Sequence, residues 1–129
     1  MKAHVYFQNS YTGESVKRVA EVEIPAGMIT EEALEFVYGR LQNIRGSWSM
    51  GPTFEFVGPK KRWDYRGGEP NYDYSEAVKF VGEYPEHCDG SPMGERSMMV
   101  GDLVVMDGKT YEVAVFGFEE YQEEKVEEV

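Results

Sequence analysis

The chain has one cysteine, Cys88, in 129 residues, so no disulfide can form within it and its core must hold without a covalent staple. Histidine is almost as scarce, at two residues, His4 and His87. No CxxC or HxxxH spacing occurs, which removes the common zinc frameworks. No apolar run approaches the ~20 residues that a membrane-spanning helix needs. The phosphate-cradling pattern GxxxxGK[ST] is missing, Gly67-Gly68 sits in no strand-to-helix register, and no serine has a nucleophile-elbow context. Internal repeats and heptads are absent as well. Met1-Lys2 leads directly into an alternating segment without a signal-peptide pattern, so the expected setting is a reducing cytoplasm.

Basic charge is what the second half lacks. Residues 67–129 hold four Lys/Arg against sixteen Asp/Glu, whereas residues 1–66 hold nine against eight, and the net charge is −11. Such a field repels nucleic acid and favours basic surfaces, including those of nucleic-acid enzymes. The plainer reading of the same asymmetry is solubility with a frayed acidic tail. The length suits one core, predicted as a compact domain over residues 1–121 followed by an acidic tail over 122–129.

What is present reads as a small α+β fold. Ala3 to Gln8 alternates, with Val5 and Phe7 on one face, and Val16 to Ile24 alternates again, so a hairpin with one wet face opens the chain. Thr30, followed by Glu31 and Glu32, predicts a helix start in which the threonine oxygen caps the first turn. Leu34, Val37, Tyr38 and Leu41 then form an apolar stripe on a helix over about residues 31–43. Gly46 to Pro52 breaks the pattern; Thr53 to Val57 and Ala77 to Val81 read as short strands. Leu103 to Met106 and Lys109 to Phe116 are apolar runs around Asp107-Gly108, a strong signal for a type I′ hairpin. Glutamates spaced three and four apart from Glu119 onward disfavour a helix there, and fraying is expected beyond Tyr121. The expected architecture is an antiparallel or mixed sheet of five to six strands with one main helix packed on one face.

Few residues carry chemistry. His87-Cys88-Asp89 is the only local cluster of ligand or nucleophile types, but neighbours in an extended segment point to opposite sides, so it reads as a loop thiol and an exposed imidazole. Carboxylate pairs such as Glu31/Glu35 sit on solvated faces and do not specify a glycosidase. Met98-Met99 reads as soft core filler. Residues 58–75 form an aperiodic loop with four aromatics, and within it Lys60, Lys61, Arg62, Trp63, Tyr65 and Arg66 interleave cations with rings, a composition that stacks bases and holds phosphates. On a chain this acidic, the same rings serve equally as protein-interface anchors, with Tyr72 and Tyr74 beside them.

From Arg96 to Phe118 the chain resembles the YodL-like segment of small accessory proteins of phages, plasmids and conjugative elements. Arg96-Ser97, Val100-Gly101-Asp102, the apolar run to Met106, Asp107-Gly108 and the closing Gly117-Phe118 carry the likeness, with Arg96 and Gly101 standing where that family often has histidine and serine. The resemblance implies a mobile-element origin and brings no catalytic residues. Read from the residues alone, Gly101-Asp102 turns the chain into a strand with Asp102 accepting nearby backbone N–H groups, and Gly117 bends Phe118 back to the core. Arg96 and Ser97 either cap that turn or bind something.

Three functions are therefore expected in competition. The first is a non-catalytic binder, without cofactor or metal, that inhibits a host nucleic-acid enzyme or defence complex, as anti-restriction or anti-CRISPR proteins do. It would use Trp63, Tyr65, Arg66, Tyr72, Tyr74, Glu119, Glu120, Glu123 and Glu124 against a basic host protein surface. The second is a nucleic-acid module built on Lys60 to Arg66, which the net charge disfavours. The third is a small-ligand enzyme, which requires a deep pocket that no motif foretells. An edge strand beside an aromatic loop also allows a homodimer.

Overall fold

A computed structural model describes residues 1–8, 16–53, 70–82 and 94–121. Its elements run β1 (Lys2–Gln8), β2 (Val16–Glu23), α1 (Thr30–Arg40), β3 (Val78–Phe80), β4 (Leu103–Met106), β5 (Lys109–Val113) and β6 (Phe118–Glu120). The strands form one six-stranded sheet in the order β3-β2-β1-β4-β5-β6, and every neighbouring pair is antiparallel. This is a small α+β fold of the expected kind.

The first strand lies in the middle of the sheet because both its neighbours are apolar on the same side. Ala3, Val5 and Phe7 are fully buried, and the residues between them are not. Strand β2 departs from strict alternation. Val5 pairs with Ala20 and Tyr6 with Arg18, so Val19 is an extra residue, and both Val19 and Ala20 are buried. A bulge of this kind admits two inward residues in succession. On the opposite face Glu21 meets Lys2 and Arg18. Burial alone would raise its pKa, but the charges of Lys2, Arg18 and Lys79 outweigh that and hold it below the ordinary glutamate value.

The helix begins one residue before the sequence expectation and is capped differently. Ile29 is the capping position, and the Ile29 N–H donates to Glu32 Oε1 at 3.1 Å, while no side-chain cap bond comes from Thr30. The glutamate placed for the helix dipole thus reaches back as an acceptor. The helix ends at Arg40 rather than near residue 43, because Gln42 turns its amide onto the Tyr38 carbonyl at 3.0 Å and the Met98 carbonyl at 3.1 Å. Ala33, Leu34, Val37 and Leu41 share one buried cluster with Val5, Phe7, Val22 and Val104 of the sheet.

Two turns at the far side behave as their glycines require. Asp107 (φ 53°) and Gly108 (φ 76°) both take positive φ, as a type I′ turn demands. A Cβ at Gly108 would meet nothing within 4 Å, so Gly108→Ala is opposed by backbone strain alone and should cost about 1–2 kcal/mol in urea unfolding. Gly117 (φ 77°) reverses the chain into β6, and Phe118 returns to pack edge-on against Tyr38 with ring centroids 6.3 Å apart. Here the sequence expectation needs two corrections. Strand β5 stops at Val113 instead of running to Phe116, because residues 114–117 form the reversal, with the Ala114 N–H donating to the Gly117 carbonyl at 2.9 Å. Glu119 and Glu120 lie in an edge strand. Of the strand expected over residues 53–57, only Thr53 is among the described residues, as an isolated bridge to Pro70.

Candidate functional site

Two groups of residues stand out, and they differ in what they leave open to a partner. The first is closed. Asp102, 1% exposed, receives a two-pronged contact from the Arg96 guanidinium, Nη1 to Oδ2 at 2.7 Å and Nη2 to Oδ1 at 2.8 Å. The same carboxylate accepts the Gln8 N–H at 3.0 Å and the Met99 N–H at 2.8 Å. Arg96 also donates to the Ser97 carbonyl at 2.9 Å and the Gln8 carbonyl at 2.7 Å, and its guanidinium lies 4.2 Å from the Phe7 ring centroid. Ser97 Oγ accepts the Asn43 N–H at 2.8 Å. Arg96 and Ser97 therefore tie the end of β1 and the residues after α1 to the turn before β4. Asp102 accepts backbone N–H groups as its position beside Gly101 foretold.

Segment 42–53, which has no periodicity, is ordered by side chains. Trp48 is 2% exposed, packs edge-on against Phe7 and Phe80 at 5.8 Å each, and donates its indole N–H to the Arg96 carbonyl at 2.7 Å. Asn71 accepts the Ser47 N–H at 2.9 Å and donates to the carbonyls of Ser47 at 2.7 Å and Gly51 at 2.8 Å. Glu95 is fully buried, with Oε2 3.8 Å from the ammonium of Lys17. Sequence reasoning missed all three, and only the tryptophan carried a signal, since a large ring in a Gly/Ser segment seldom stays in water.

The second group is open. Val115 is 75% exposed and Phe116 93%, at the tip between β5 and β6. Met99 and Val100 are also exposed, and they precede Gly101, whose N–H donates to the Val113 carbonyl at 2.9 Å; all four therefore sit at one end of the sheet. Turn tips normally carry polar residues or glycine, so an aromatic ring left in water there is a feature to explain. Beside the tip, Glu112 stands directly opposite Glu119 across the β5–β6 pair, and Glu120 opposite Tyr111. Like charges placed opposite one another destabilise a strand pair. Among the described residues, no ion pair relieves Glu112, Glu119 or Glu120.

Of the expected binding residues, Tyr72, Tyr74, Glu119 and Glu120 are among the described ones. Tyr72 and Tyr74 are exposed and line an open cleft of about 350 Å³ with Gly39, Arg40, Gln42, Asp73 and Ser75, none of them from β6. Arg45 lies over the Tyr72 ring at 4.9 Å. Glu119 and Glu120 belong to the edge strand instead. Lys60, Lys61, Arg62, Trp63, Tyr65, Arg66, His87, Cys88, Asp89, Glu123 and Glu124 lie outside the described residues. Among the described residues, no three His, Cys, Asp or Glu side chains gather where a metal ion could be held, and no helix is long and apolar enough to cross a membrane. No family model matches the chain, and neither a curated protein nor a solved structure matches it.

Proposed function

We propose that this chain is a small non-catalytic binding protein that docks on a basic protein surface through the β5–β6 tip and the carboxylates beside it. The observation that carries this reading is Phe116, almost wholly in water at a hairpin tip and flanked by three carboxylates without ion pairs among the described residues. Aromatic anchors rimmed by charge of one sign are what recognition of an oppositely charged partner uses. The net charge of −11 adds long-range attraction for the same class of partner. The resemblance at residues 96–118 supports a mobile-element origin, with a host nucleic-acid enzyme or defence complex in the host cytoplasm as the target to be inhibited. On this reading α1 covers one face of the sheet through Leu34, Val37 and Leu41, leaving the β6 edge for the partner.

Charge reversal tests it. The double substitution Glu119→Lys and Glu120→Lys should weaken binding of a lysine-rich peptide at least tenfold, about 1.4 kcal/mol, measured by titration calorimetry. Wild-type affinity should fall steeply as salt is added. An affinity indifferent to both salt and the reversal contradicts the proposal.

A further inference from the structure

We infer that β6 is a docking edge for an extended, lysine- or arginine-bearing segment of the partner, added to the sheet as another strand. This inference rests on the binding role proposed above and specifies its mode.

Strand β6 ends the sheet order, and its outward groups follow from the register. The Tyr121 N–H donates to the Thr110 carbonyl at 2.8 Å and the Ala114 N–H to the Gly117 carbonyl at 2.9 Å, so 110/121 and 114/117 are hydrogen-bonded pairs. Antiparallel pairs alternate, which turns the N–H and C=O groups of Phe118 and Glu120 away from β5. Among the described residues no strand meets them. Natural sheets guard such edges with very short strands, charged side chains, proline, bulges or a covering element. The opposite edge, β3, carries the exposed Lys79 at its centre, whereas the short β6, Phe-Glu-Glu, carries two carboxylates, which guard it against acidic strands and leave it open to basic ones.

The charges decide the occupant. A second copy pairing β6 against β6 would set Glu119 and Glu120 against their own kind, and opposed like charges in strand pairs are destabilising. A strand with cations at successive positions reverses the sign on both faces, meeting Glu119 beside Glu112 on one and Glu120 on the other. An apolar residue at its end would reach Val115 and Phe116. Main-chain hydrogen bonds then supply affinity and the side chains specificity, as in other strand-addition complexes.

The test uses the full chain with an acetylated peptide Leu-Lys-Lys-Lys-Lys-Leu and the same peptide N-methylated at alternate residues. The parent peptide should bind at least tenfold tighter than the N-methylated one and slow amide exchange of Phe118 and Glu120 at least tenfold. Glu120→Pro removes an outward N–H while sparing the β5 ladder, and should lose at least tenfold more affinity than Glu120→Gln, which removes only the charge. If Glu120→Pro disturbs the fold, the peptide comparison still decides. Equal affinity for both peptides with unchanged exchange at Phe118 and Glu120 overturns strand addition and leaves electrostatic docking standing. Failure of both peptides to bind overturns both. Protection of those amides that rises with protein concentration alone marks a second copy and overturns the inference.

Discussion

Asp102→Ala should destabilise the domain by about 3–5 kcal/mol, because it leaves the Arg96 guanidinium buried without its counter-charge. It also strips the part-buried Gln8 and Met99 N–H groups of their acceptor, which adds to the loss. The contributions overlap, since one carboxylate serves all three donors, so that range is the expectation for the whole. Arg96→Lys should cost less, because the charge survives while the two-pronged geometry and the stacking on Phe7 do not. Urea unfolding reads both, as a lowered midpoint with an unchanged slope. A loss below about 1 kcal/mol for Asp102→Ala would mean that this cluster does not organise the turn before β4.

Trp48→Ala should be comparably damaging, at about 3–5 kcal/mol, through the cavity left between Phe7 and Phe80. Trp48→Phe should cost less than Trp48→Ala, since it keeps one ring in the site while losing the second ring's packing and the indole bond to the Arg96 carbonyl. The two sites are linked. Arg96 offers its carbonyl to Trp48 and its guanidinium to Asp102, so a double-mutant cycle between Trp48→Phe and Asp102→Ala should show coupling of 0.5 kcal/mol or more, on the order expected for residues sharing a network.

The parts of the fold legible in sequence are those where local chemistry and burial agree. Asp107-Gly108 dictates a turn that few other residue pairs could make, and the alternation of Ala3, Val5 and Phe7 names the inward face of β1 without outside help. The stripe Leu34, Val37 and Leu41 is similarly self-evident. Segment 42–53 was not legible, because its order comes from Asn71, Glu95 and Arg96, more than twenty residues away, through side-chain bonds to backbone groups that leave no periodic trace. The tip was misread for a different reason. Val115 and Phe116 continue an apolar run, and hydrophobicity alone extends the strand, yet the bend at Gly117 requires the residues before it to leave the ladder. Of the candidate site, the two glutamates of β6 stand out in the sequence by their charge, while Phe116 reads there only as the end of a strand.

The most direct test of the binding face is an amide chemical-shift map of the protein titrated with an oligolysine peptide at low and high salt. Shifts should concentrate on Glu112 and residues 114–120 and vanish as salt screens the carboxylates. Shifts centred instead on the Tyr72–Ser75 cleft or on the Lys2, Arg18 and Glu21 face, or shifts that persist unchanged at high salt, would contradict it.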